Sequence, residues 1–357
     1  MDEPDLPFDW RHVPPSDQHT LDDWRDRGGL VLDMVRRGVD HGALVIGDVP
    51  PTPTADATVA WQDSRPVFRP DAITDAVAAH AAACQDTLEM FDRLRDGARF
   101  LDELERRLWN DDTFRYQSST VDALDEREIE KVFVEVPTAE KGRYRARNLS
   151  AKLSWIANDE RDTSLRIRFS FGHEATGDWL TPDEHALWSD RFAAAVFPEC
   201  AAITDDAALG AELRALRPDG FRLSERIIYN NVPGGGAVFH HDADPGQRGV
   251  VFAQLSGVTI WLALPRVELE RRARAHLPDL DAGAFDGDPP PELATLLNGT
   301  PAFTAELIAA GHLFALGPGD VLLLPSHDPE RCAWHSVFGT GDAPSLAHSY
   351  AIFDPLP

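Results

Sequence analysis

His240 and Asp242 stand two residues apart in Phe239-His240-His241-Asp242-Ala243-Asp244, just after the glycine-rich turn Pro233-Gly234-Gly235-Gly236. On an extended strand, residues i and i+2 project to the same face, so an imidazole and a carboxylate at this spacing can reach one ion together. They supply two of the three ligands of a 2-His-1-carboxylate iron site, an arrangement that leaves three positions on the metal open for co-substrate and oxygen. The third ligand must come from a strand distant in sequence and adjacent in space. His335, in Cys332-Ala333-Trp334-His335-Ser336-Val337, meets that need, because it follows the turn Gly317-Pro318-Gly319-Asp320 and the apolar strand Val321-Leu322-Leu323-Leu324-Pro325. His327 competes for the role, but Ser326-His327-Asp328-Pro329 reads as a loop. The expected metal ligands and catalytic residues are therefore His240, Asp242 and His335. His241 should point away from His240, and Asp244 offers a carboxylate for a second ion.

The elements that must position these residues follow from the periodicity. Residues 1–70 mix short helical patches with Pro-rich connections such as Pro50-Pro51-Thr52-Pro53, and Gly42-Ala43-Leu44-Val45-Ile46-Gly47 reads as a short buried strand. Over residues 71–109 the apolar residues Ile73, Val77, Ala81, Cys84, Leu88, Phe91, Leu94, Leu101, Leu104 and Leu108 recur at three- and four-residue steps. That is a long amphipathic helix or a helix pair bent near Gly97, whose stripe packs on its own domain or, as the alternative, on a second copy in a homodimer. After residue 130 the period changes to strands: 131–136, 153–156 and 164–172, the last with Leu165, Ile167, Phe169 and Phe171 on one face and Arg166, Arg168 and Ser170 on the other. Thr181-Pro182-Asp183-Glu184 starts a helix running to about residue 196, a second helix covers 207–216, and strands are expected at 224–231, 238–242 and 250–264. Residues 266–310 hold two helical pieces; short strands at 314–316, 321–325, 333–338 and 346–353 close the chain. Many short strands punctuated by turns mean a sandwich or barrel rather than a parallel sheet. Tyr229 and Asn231, at i and i+2, share a face toward the pocket.

The order His240-x-Asp242, then Phe252-Ala253-Gln254-Leu255-Ser256-Gly257 and Trp261-Leu262-Ala263-Leu264-Pro265, then Gly319-Asp320-Val321-Leu322-Leu323-Leu324-Pro325 and Trp334-His335, resembles the Jumonji-C/cupin-like Fe(II)- and 2-oxoglutarate-dependent oxygenases. It is particularly similar to their asparaginyl-hydroxylase-like branch. The resemblance covers roughly residues 224–353. It implies a mainly β core, a double-stranded β-helix (jelly-roll or cupin) over residues 131–357 with a helical insertion at 266–310, behind a mainly helical region over 1–130. It further implies Fe(II) on His240, Asp242 and His335, with 2-oxoglutarate and molecular oxygen consumed to hydroxylate a C–H bond of a small-molecule or peptide substrate. An intact carboxylate at Asp242 favours hydroxylation over halogenation. One departure stands out: the family's co-substrate lysine falls where Thr259 and Ile260 stand, and the arginine used by other such oxygenases falls in Ala347-His348-Ser349-Tyr350. The carboxylate anchor is thus open among Arg166, Arg168, Arg226, Thr259 and His348, with Tyr229 and Asn231 as further co-substrate residues. A cupin metalloenzyme that does not use 2-oxoglutarate, or a non-catalytic cupin-fold binding protein, are the alternatives.

Composition sets limits on partners. At 357 residues and 43% hydrophobic content the chain has ample material for a core. A formal charge of −26 argues against nucleic acid, whose binding is driven by Lys and Arg displacing counterions. It leaves a cationic substrate as an expectation drawn from charge alone. Cys84, Cys200 and Cys332 are too far apart for a paired metal or disulfide motif, the amino terminus has no basic start followed by an apolar run, and no stretch approaches the roughly 20 apolar residues of a membrane span. A cytoplasmic protein without membrane contact is expected.

Overall fold

The computed structural model describes residues 54–120, 127–137, 144–145, 149–157, 162–169, 181–287 and 289–355. The strand expected at 42–47, the loop at 50–53 and the last residues of the strand expected at 164–172 lie outside them. In chain order the strands are β1 (Val67–Arg69), β2 (Arg115–Thr120), β3 (Glu128–Pro137), β4 (Tyr144–Arg145), β5 (Ser150–Trp155), β6 (Leu165–Phe169) and β7 (Arg222–Asn230). They continue with β8 (Gly236–His240), β9 (Gln247–Ser256), β10 (Val258–Pro265), β11 (Leu313–Leu316), β12 (Val321–Asp328), β13 (Arg331–Thr340) and β14 (Leu346–Phe353).

Two antiparallel layers emerge from the pairing. One runs β12-β9-β14-β7 and is prolonged outward by β6, β5, β3 and β2, with β1 on β12. The other runs β8-β13-β10-β11. The turn between β12 and β13 joins them, through the pairs Ser326–Cys332 and Asp328–Arg331. Eight strands crossing back and forth between two four-stranded layers in this order make a double-stranded β-helix.

The packing explains why the core strands read as unbroken apolar runs. Val251, Ala253 and Leu255 of β9 face a cluster shared with the helices, while Val250 and Phe252 face the barrel interior. On β10, Trp261 and Ala263 face that interior and Ile260, Leu262 and Leu264 pack outward. A strand buried on both faces has no polar alternation to show. The single apolar run expected at 250–264 is in fact two strands, broken at Gly257, whose φ of 68° suits glycine and whose Cβ would meet Ser345 Cα at 2.8 Å.

Helices cover both outer faces. Behind the first layer lie Thr74–Ala79, Ala81–Arg95, Phe100–Arg107, Pro182–Val196, Ala201–Thr204 and Ala207–Leu216. The break after Arg95 falls at Gly97, with φ 95°. Phe91, Leu94 and Leu104 from the long stripe, with Phe100 beside them, are buried in the cluster shared with β3, β5 and β6, so the stripe packs on its own domain. Pro182–Val196 starts on a reciprocal capping box, Thr181 Oγ1 accepting from the Glu184 N–H at 3.2 Å while the Glu184 carboxylate accepts from the Thr181 N–H at 2.9 Å. Outside the second layer, residues 266–310 form three helices, Arg266–His276, Pro291–Gly299 and Pro301–Ala309, rather than two; the break between the last two comes at Thr300-Pro301, where proline starts a new helix.

Candidate metal centre

His240 ends β8 and His335 sits in mid β13, and the two are cross-strand partners in the register. Gly236 lets β8 come this close: a Cβ there would lie 2.0 Å from the Val337 carbonyl oxygen. The imidazole centroids are 4.3 Å apart. Asp242, two residues beyond His240, completes the group: its carboxylate lies 3.4 Å from His335 Nε2 and 3.8 Å from His240 Nε2. One donor atom from each of the three falls within 4.8 Å of the others. His240 Nδ1 donates to the Val238 carbonyl at 2.7 Å, and His335 Nδ1 makes a longer contact of 3.5 Å to the Ala333 carbonyl. A carbonyl only accepts, so each Nδ1 carries the proton and each Nε2 presents a lone pair to the shared centre.

Burial and charge prepare the donors. His335 is 3% exposed, and that burial, with the neighbouring His240, pushes its pKa down to about 3, so it is neutral as a ligand must be. Burial opposes ionisation of Asp242, but His335 and His240 outweigh it and hold the carboxyl below its usual range. Two imidazoles and one carboxylate with an open side fit a redox-active divalent ion such as Fe(II). Trp261 stacks near His335 at 5.3 Å, and Phe252 meets Trp261 edge-on at 4.5 Å, giving the centre an apolar floor.

The open side of the group faces a cavity of about 880 Å³. Tyr229 and Asn231 both line it, as expected from their spacing. Asn231 is 3% exposed and its Oδ1 has no hydrogen-bond partner among the described residues. Burial, then Asp242, raise the Tyr229 phenol, which stays protonated and able to donate. Arg166 lines the cavity as well, opposite Tyr229 in the β6–β7 register. The helices of 266–310 contribute Pro291, Ala294, Thr295 and Asn298 to the mouth.

Other sequence-predicted residues fall elsewhere. Thr259 points to the barrel interior beneath Trp261, where Oγ1 donates to Gln254 Oε1 at 2.8 Å and accepts from Trp261 Nε1 at 3.0 Å; it is fully buried and does not line the cavity. Arg168 shares the Arg166 face but stands opposite Lys152 and Ile227, outside the lining. His348 and Arg226 project to the far face of the first layer, because alternation gives the cavity side of β14 to Ala347 and Ser349. His327 belongs to β12 rather than a loop, and its Nε2 donates to the Trp61 carbonyl at 2.8 Å. His241 turns to Trp334, 5.1 Å between rings, and Asp244 is not among the grouped donors.

On that far face lies a grouping the sequence did not announce. Cys200 Sγ is 3.5 Å from His348 Nδ1, His348 Nε2 is 3.5 Å from Glu199 Oε1, and Thr87 Oγ1 donates to the same Glu199 oxygen at 2.6 Å. Burial opposes the charge on His348, yet Cys200 and Glu199 overcome it and raise its pKa to about 9. No motif spacing links residues 199–200 to 348; only the fold brings them together.

No family model matches the chain, and no curated protein matches it. Among solved structures it is similar to YcfD of Escherichia coli, described as a ribosomal oxygenase, at 16% identity over 85% of this chain and 54% of that one, with a TM-score of 0.30. This chain therefore spans about half the length of YcfD. The non-heme α-ketoglutarate-dependent epimerase SnoN from nogalamycin biosynthesis aligns at 12% identity over 83% of this chain and 81% of its own, with a TM-score of 0.33. An oxidoreductase of the 2OG-Fe(II) oxygenase family from Burkholderia pseudomallei aligns at 13% identity over 87% and 92%, with a TM-score of 0.30. With TM-scores this low, the class rests on the strand order and donor set: a double-stranded β-helix with a candidate two-histidine, one-carboxylate centre.

Proposed function

We propose that this chain is a non-haem Fe(II) oxygenase that couples 2-oxoglutarate decarboxylation to oxidation of a substrate C–H bond, hydroxylation above all. One observation carries the reading: His240, Asp242 and His335 present donor atoms within 4.8 Å of one another, inside a double-stranded β-helix, at the wall of a cavity large enough for a co-substrate and part of a substrate. Bound Fe(II), with 2-oxoglutarate and oxygen, supplies the oxidising power. The chain's own residues hold and shield. Val238 and Ala333 carbonyls fix the two imidazoles; Asp242 adds the charge that keeps a divalent ion; Phe252, Trp261, Leu324 and Val337 keep water from the inner wall.

The substrate is a small molecule or a peptide admitted past residues 286–299. Among the described lining residues, charged side chains outside the ligand group are Arg127, Arg166 and Asp286, the last paired with Arg266 at 2.6 Å, a set that lends no support to a cationic substrate. The sealed Thr259 favours a second reading, a cupin metalloenzyme whose substrate itself chelates the ion. Incubation of the purified chain with Fe(II), ascorbate and 2-oxoglutarate decides between them: succinate should form in the wild type and not in a His240→Ala/His335→Ala variant. Metal in the isolated protein with no succinate under any condition would favour the second reading, and no metal uptake at all would leave a binding protein.

A further inference from the structure

The cavity contains a ready-made place for a second anionic group, and it is not where the resemblance would put it. On the adjacent strands β14, β7 and β6, the cavity-side residues Ser349, Tyr229 and Arg166 lie next to one another, with Arg166 directly opposite Tyr229 and Ser349 directly opposite Ile227, two residues along β7 from Tyr229. We propose that Arg166, supported by the Tyr229 and Ser349 hydroxyls, binds the remote carboxylate of 2-oxoglutarate from strand β6, outside the eight strands of the barrel. This assignment rests on the 2-oxoglutarate reading of the site.

Five observations carry it. A carboxylate taken into a buried site needs a cation or several donors, and among the described residues only Arg127 and Arg166 bring a guanidinium to the cavity lining. Neighbouring strands are about 4.8 Å apart, so Arg166 stands one strand from Tyr229, whereas Arg127, at the start of β3, stands about three strands away. Tyr229, opposite Arg166 in the register, feels the charge of Asp242 first, then of Arg166, with Arg168 a smaller contributor. Ser154 Oγ accepts from Arg166 Nε at 3.2 Å and so orients the guanidinium plane. Thr259 cannot take the role, since both its hydrogen-bonding directions are used by Gln254 and Trp261.

The test is calorimetric titration of the full chain loaded with redox-inert Mn(II), using 2-oxoglutarate and 2-oxovalerate, which keeps the 2-oxo acid head and lacks the second carboxylate. Wild type should prefer 2-oxoglutarate. Arg166→Gln should weaken 2-oxoglutarate about 10- to 100-fold and leave 2-oxovalerate within about twofold, while Arg127→Gln keeps the wild-type preference. Arg166→Lys should fall between wild type and Arg166→Gln, because an ammonium keeps the charge and loses the two-pronged contact. Mn(II) affinity in the same samples reports folding; if Arg166→Gln loses it, the lysine variant decides, and undiminished 2-oxoglutarate affinity there overturns the assignment. Undiminished affinity in Arg166→Gln, equal losses for both ligands, or a loss in Arg127→Gln instead also overturns it. A wild type that binds Mn(II) but not 2-oxoglutarate removes the functional reading and this assignment together, which distinguishes the two failures.

Discussion

His335 and His348 are both buried histidines beside a carboxylate, and they are driven in opposite directions. At His335 burial dominates, with the facing His240 adding to it, the Asp242 carboxylate 3.4 Å away does not offset them, and its pKa falls to about 3. At His348 the same burial is overcome by Cys200 and Glu199, and its pKa rises to about 9. The first is a neutral donor facing a cavity; the second is a cation sealed between sheet and helices, unable to offer a lone pair to a metal. Residue type and burial do not separate a metal ligand from a structural ion pair. The partners on the two ring nitrogens do: a backbone carbonyl on Nδ1 with Nε2 toward an open centre in one case, a thiol and a carboxylate in the other.

The contrast breaks most visibly under substitution. His240→Ala/His335→Ala should lower Fe(II) or Mn(II) affinity by roughly four orders of magnitude with little loss of stability, whereas His348→Ala should leave metal affinity within about threefold; metal titration compares them directly. His348→Ala should instead cost about 3–5 kcal/mol in urea unfolding, because Glu199 and Cys200 are left buried without their cation. A His348→Ala protein of wild-type stability would remove the distinction between the two sites.

The pH dependence sharpens it. His348 keeps its proton above the unfolded value of about 6.5, so its contribution is complete below that pH and is lost as pH rises through about 9. The unfolding free-energy gap between wild type and His348→Gln should therefore narrow from pH 6.5 to 9, and a gap that widens contradicts the assignment. Smaller effects belong to the cavity wall. Tyr229→Phe should weaken 2-oxoglutarate about tenfold through loss of one hydrogen bond to a charged group. Thr259→Val should change 2-oxoglutarate affinity by less than about twofold, because its hydroxyl is already engaged.

How much of this was legible from residues differs between the two faces. The candidate ligands could be read because His240-x-Asp242 is a local, period-two feature and because His335 follows a Gly-Asp turn and an apolar strand. The barrel strands were legible as apolar runs, though the break at Gly257 was not, since strands buried on both faces show no alternation. His348 could not be placed. Its face depends on whether β14 starts its alternation at residue 346 or 347, a one-residue register that no local pattern fixes. The same holds for Arg166, whose value comes from standing opposite Tyr229 across a strand pair more than 60 residues apart in sequence.

The most direct test of the central claim is anaerobic titration of the wild-type chain with Fe(II) and then 2-oxoglutarate, followed by visible absorption. A metal-to-ligand charge-transfer band should appear, saturate at one equivalent of each, be absent in His240→Ala/His335→Ala and be present in His348→Gln. A folded wild type that shows no band, or a band that survives the double substitution, would contradict it.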